Sequence, residues 1–166
     1  MPNRFNRLEQ KLRSWKVYQL VLVLILVKFT LNIILSEIAT SIDPSSTYIE
    51  SLEEMGLMKE VMLTVFFGPF IETLIFQLIL IEILLAVMRK WAYKNQMAIG
   101  LATILFALAH SYNMIYQIVM LPMGFIYAWS YVFFRNWKYL MVAFWSVFII
   151  HAMNNLFVLV WDQYAY

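Results

Sequence analysis

Glu72, His110, His151 and Asn155 each stand in a run of residues otherwise made of hydrocarbon. An ionisable side chain in a membrane-length apolar segment is costly, so each is a functional candidate that needs a named partner. Together they make a set suited to hydrolysis. A carboxylate among apolar neighbours can act as general base on a water, particularly beside a histidine. A second histidine and a carboxamide can donate hydrogen bonds to the oxyanion that forms when that water attacks an amide carbonyl. The same Glu/His/His set can instead bind zinc, whose catalytic sites often combine two histidines with one glutamate. The sequence has no HExxH run, so a metal is the second choice and no cofactor is expected. Two blander readings stand beside these. A lone histidine or asparagine in a membrane helix commonly serves as an interhelical hydrogen bond. A proton relay in a small transporter would use the same residues, but no inverted repeat is visible.

The elements that must position this set follow from composition. Of 166 residues, 63% are hydrophobic and 13% charged, which excludes an ordinary soluble domain and predicts an all-α, polytopic transmembrane helical bundle of about five spans. Absence of cysteine excludes disulfides, thiolate metal sites and a cysteine nucleophile. The net charge of +2 gives no case for a nucleic-acid partner. Residues 1–16 read as a basic amphipathic segment on the cytoplasmic membrane face, and 17–36 as the first span, retained in the mature protein. Residues 37–67 read as an acidic outer loop, with Thr47 and Glu50 spaced as a capping box that opens a short amphipathic helix. Gly68-Pro69 suits a fresh helix start, and 68–161 form a four-helix core. Its later spans fall at about 96–111, 114–134 and 139–161. Basic residues at the N-terminus, after the second span and after the fourth put the N-terminus in the cytoplasm. The chain is thus expected to be a multi-pass integral membrane protein, in a bacterium one of the cytoplasmic membrane.

Depth brings the polar residues together. At about 1.5 Å rise per residue, Glu72, His110, His151 and Asn155 can meet in one layer in the outer half of the membrane. His151 and Asn155 share a helix face at i,i+4, as do Phe106 with His110 and Thr73 with Gln77. Thr73 and Gln77 therefore form a pair on a face of their own, expected to satisfy its polar needs against a neighbouring helix. Glu82 lies about 15 Å deeper than Glu72, where Lys28 of the first span is its expected ion-pair partner. Pro122 and Gly124 either kink the fourth span and open space beside Glu72 or are simply a tolerated proline and its neighbour in a membrane helix. The aromatic run Tyr127, Trp129, Tyr131, Phe133, Phe134 and Trp137 reads as interface anchoring.

Three residue sets carry a resemblance: Glu72-Thr73 with Gln77, Phe106-Ala107-Leu108-Ala109-His110, and His151-Ala152-Met153-Asn154-Asn155. Their order and spacing resemble the three motifs of the CAAX-prenyl-protease and bacteriocin-processing family, also called type II CAAX or abortive-infection proteins. The stretch PMGFIYAWSYVFFRNW looks like that family's glycine-bearing helix and the turn before its last motif. The resemblance covers about Gly68 to Asn155 and leaves the first span and acidic loop unmatched. It implies an intramembrane endopeptidase in which Glu72 activates water, His110 assists, and His151 with Asn155 stabilises the oxyanion; the family was long described as metalloproteases, and a metal-free glutamate mechanism is the favoured reading. It implies as partners a peptide or protein substrate in or at the membrane, and the bilayer itself. The family's first motif begins with two glutamates and ends in arginine. Here Thr73 and Gln77 replace the second glutamate and the arginine, a neutral pair in place of a charged one. A non-enzymatic immunity or interaction protein on the same scaffold is the alternative.

Overall fold

The computed structural model describes residues 4–44 and 56–165, and every regular element among them is helical. In chain order these are α1 (Arg4–Arg13), α2 (Val17–Ile42), α3 (Leu57–Val87), α4 (Lys94–Ala109), α5 (Met114–Trp137) and α6 (Leu140–Ala165). Helices α2, α3, α5 and α6 are long and apolar enough to cross a membrane, and α4 is an apolar helix of 16 residues. The protein is an integral membrane helical bundle. The Thr47–Glu50 capping box lies outside the described residues.

Helix α2 runs past its expected end at residue 36 because the polar residues there satisfy themselves locally. Thr40 Oγ1 donates to the Ser36 carbonyl and Ser41 Oγ to the Ile38 carbonyl, so neither hydroxyl competes for the ladder. The stop comes from Pro44, whose ring disfavours helical backbone in the residue before it. Asp43 is accordingly extended, at φ −145° and ψ 111°.

Helix α3 corrects the expected start at Gly68-Pro69. It begins at Leu57 and passes through the proline without a break. Two stretches of π-helix, Met62–Phe67 and Thr73–Ile79, flank the α-helical turn Gly68–Glu72. A proline inside an α-helix forfeits one backbone bond and clashes with the preceding turn, at about 3 kcal/mol or more. Widening that turn relieves the clash. In the wide turn the Gly68 N–H donates to the Leu63 carbonyl, and a Cβ on Gly68 would stand only 2.8 Å from that same oxygen. Glycine is therefore required where the wide turn closes.

Helices α5 and α6 are joined by Lys138 and Tyr139 alone, so they pack as an antiparallel pair, with α4 against α5 and α2 across both. Gly124 does not open space beside Glu72. A Cβ there would meet Phe106 Cδ1 at 2.8 Å, so the missing side chain admits the Phe106 ring of α4. The aromatic run of α5 is likewise corrected: Tyr127, Tyr131, Phe133 and Phe134 are buried in the core. With 17% aromatic residues in the chain, the bundle uses rings as packing as well as anchors.

Candidate active site

Three helices each deliver one polar side chain to the site. Glu72 closes the short α-turn of α3 between its two π stretches. His110 caps the C-terminus of α4, where the chain leaves helical geometry at φ −91° and ψ 57°. His151 sits mid-way along α6 and is buried. These three converge: Glu72 Oε2 lies 3.5 Å from His110 Nε2 and 3.7 Å from His151 Nε2. The Glu72 side chain keeps 30% of its surface exposed while that of His151 keeps 5%. The Glu72 side chain is thus the most exposed of the three, with its Oε2 turned into the enclosed side of the site and His151 the back wall.

The imidazoles are oriented by different means. His110 Nδ1 lies 2.7 Å from the Phe106 carbonyl. A carbonyl can only accept, so Nδ1 carries the proton and Nε2 is turned to Glu72. Phe106, one turn back, also packs its ring 4.4 Å from the His110 ring. His151 is held by stacking: its ring lies 4.3 Å from that of Tyr127 with a 30° interplanar angle, and Nδ1 has no hydrogen-bond partner among the described residues.

Asn155 is placed one turn outward and is engaged elsewhere. Its Nδ2 donates to the Thr64 carbonyl at 2.9 Å. The reason lies in α3. With the Gly68 N–H given to Leu63, the next donor in the π frame would be that of residue 69, and proline has none. Thr64 therefore keeps a free carbonyl inside the bundle, and the Asn155 carboxamide fills the need. Pro69 and Asn155, 86 positions apart in the sequence, are two halves of one hydrogen-bonding solution.

Thr73 and Gln77 depart from expectation. Both are fully buried, but Thr73 Oγ1 and both polar atoms of Gln77 have no hydrogen-bond partner among the described residues. They are on the same inward face of the π stretch, as the i,i+4 spacing requires, without being satisfied by a neighbouring helix or by each other.

The expected Lys28–Glu82 pair is also corrected. Glu82 is held by Arg135, whose Nε and Nη2 reach the two carboxylate oxygens, the latter at 2.8 Å, and by Tyr131 Oη at 3.1 Å. A guanidinium fork at the C-terminal end of α5 matches a carboxylate in two places at once, which a single amine cannot. Lys28 instead turns toward α5, with Nζ 3.4 Å from the Met123 carbonyl, 2.9 Å from Met123 Sδ and 3.8 Å from the centre of the Tyr127 ring. A cavity of about 290 Å³ lined by Glu82, Lys94 and Arg135 lies ten residues along α3 from Glu72 and is separate from the site.

Sequence reasoning missed Tyr127. Its signal was available: a tyrosine four residues before Tyr131 and seven before Phe134 repeats at helical spacing and marks a buried face. Among the described residues no group of three or more His, Asp or Glu has the arrangement of a metal site.

A family model for type II CAAX prenyl endopeptidase Rce1-like proteins matches residues 55–157, the stretch that carries Glu72, His110 and His151. No curated protein and no solved structure matches the chain. With most of its length inside that match and its polar residues on the three helices that the motifs occupy, the chain belongs to the Rce1-like type II CAAX prenyl endopeptidases, a family of helical membrane proteases.

Proposed function

We propose that the chain is an intramembrane endopeptidase that hydrolyses a peptide bond with a glutamate-activated water. The observation that carries this reading is the single oxygen, Glu72 Oε2, flanked at 3.5 and 3.7 Å by the Nε2 atoms of two histidines from other helices. These separations are longer than direct hydrogen bonds, and a water seated against the carboxylate would lie beside both histidines. Glu72 takes a proton from that water as its oxygen bonds to the carbonyl carbon. His110, its Nδ1–H held by Phe106, offers the Nε2 lone pair to the water's other hydrogen. His151 donates from Nε2 to the oxyanion. Asn155, four residues along α6, keeps a second amide hydrogen beyond the one given to Thr64 and would donate it to the same oxyanion. Collapse of the tetrahedral intermediate breaks the C–N bond, and Glu72 returns the proton to the leaving amine. General-base catalysis of this kind contributes about 10²–10⁴-fold, and an oxyanion donor about 10²–10³-fold.

The substrate class is a peptide segment in or at the membrane. With the N-terminus cytoplasmic, the site lies in the outer half, and an exported or membrane-embedded segment reaches it more directly than a cytosolic tail. A second reading, an immunity or interaction protein on the same scaffold, is favoured by one observation: the Asn155 amide is already engaged by Thr64.

Cleavage of membrane-associated peptides by the reconstituted protein tests the choice. Glu72→Gln is expected to lower turnover at least about 10²-fold and His151→Ala to a similar extent, with both variants still folded. Undiminished function in both would end the hydrolase reading. Chelator treatment, with metal content measured on the same preparation, separates glutamate from zinc chemistry. Activity that is lost with the metal and restored by zinc would replace the metal-free mechanism.

A further inference from the structure

Lys28 is fully buried, yet no carboxylate among the described residues lies within ion-pair distance of it. Placing such a side chain in the interior costs several kcal/mol unless its donors are used, and a lysine near mid-span has the length to snorkel outward instead. It does neither. Its Nζ is directed onto Met123 and the Tyr127 ring, and the far consequence of that contact is His151, whose ring stacks on the same tyrosine at 4.3 Å. The chain of contacts runs from α2 through α5 to α6 and ends at the histidine that faces Glu72.

His151 needs this support more than His110 does. His110 is fixed by a hydrogen bond from Nδ1 to backbone, whereas among the described residues His151 Nδ1 has no partner and ring packing sets its plane. A stacked ring can slide unless the ring beneath it is held. Tyr127 is held from α2 by the Lys28 amine, 3.8 Å over its face.

We propose that Lys28 is a positioning residue for His151, acting through Tyr127, so that α2 completes the site although it lies outside the family-matched residues 55–157. The proposal takes its functional meaning from the peptidase reading but is testable apart from it. Met123 is the second handle on the same amine.

The chain contains two histidines, both in the site, so histidine-selective isotope labelling gives two sets of ring signals, assigned with His110→Gln. In the native protein the His151 ring protons are expected to carry the upfield shift of a ring stacked on an aromatic face. Lys28→Met is expected to reduce that shift and to leave the His110 signals in place. Lys28→Gln, which keeps a donor for the Met123 carbonyl, is expected to restore part of it. Unchanged His151 signals in folded Lys28→Met, or equal movement of both histidines, would overturn the proposal. If Lys28→Met does not fold, Met123→Leu is the test, with the same expected movement and the same overturning result. In a cleavage assay Lys28→Met is expected to lower kcat with KM retained. A protein that cleaves nothing while its His151 signals respond to Lys28 would leave the positioning role standing and remove the peptidase reading.

Discussion

A buried glutamine with three unmet hydrogen-bonding needs is expensive. Gln77 and Thr73 are both fully enclosed and unpartnered among the described residues, and each such group costs about 1–3 kcal/mol of desolvation. Replacing both with apolar side chains of similar shape removes that cost. Thr73→Val combined with Gln77→Met is therefore expected to raise stability by about 1–3 kcal/mol, read from reversible unfolding in mixed micelles. A loss of similar size would mean that the two groups have partners in solution. Polar character was legible in the sequence at Glu72, His110 and His151 because an ionisable group in an apolar run has few bland explanations. Partner choice was less so. Lys28 was matched to the nearest carboxylate by depth, but Arg135, at the C-terminal end of α5, satisfies Glu82 with two nitrogens and leaves the lysine to Tyr127.

Helix α3 is the element in which sequence and geometry are most closely tied. Pro69 removes one donor, the wide turn of Met62–Phe67 absorbs the ring, Gly68 leaves room for the Leu63 carbonyl, and Asn155 answers the carbonyl of Thr64. None of this is visible in periodicity, since α and π turns differ by less than one residue in repeat. The sequence reading placed a helix start at the proline for the sound reason that prolines favour first turns, and it erred because a wide turn can carry a proline through. A double-mutant cycle tests the linkage. In the native background Asn155→Ala is expected to cost about 1–3 kcal/mol, by leaving the Thr64 carbonyl unmet. In Pro69→Ala, where residue 69 regains its N–H, the same substitution is expected to cost at least about 0.5 kcal/mol less. Strict additivity would show that the two positions are independent.

At the scale of the molecule, the architecture was the most legible feature, because four apolar runs of membrane length leave few alternatives. Core identity was less legible: rings read as interface anchors turned out to fill the interior of α5, since aromatic side chains serve both places and only facing helices decide between them. The orientation proposed from basic loops has a direct check. A reporter fused after Tyr166 is expected on the outer face when the N-terminus is cytoplasmic. A cytoplasmic signal would reverse the site's side of the membrane and with it the substrate class.

Helix α4 has 16 residues, or about 24 Å of rise, beside neighbours of about 36 Å or more and a hydrocarbon layer of about 30 Å. Its C-terminal cap is His110, so a shortfall at that end of the helix would fall at the site itself. Lipid tails beside it must shorten or tilt, at a fraction of a kcal/mol per ångström, and the aqueous boundary is drawn inward at the point where hydrolysis consumes water. Bilayer thickness then becomes a control on the reaction. Turnover in vesicles of graded acyl length is expected to rise as the membrane thins toward the length of α4, and equal rates across the series would count against it. A protein so built would favour the thinner membranes, or thinner patches of one membrane, available to it.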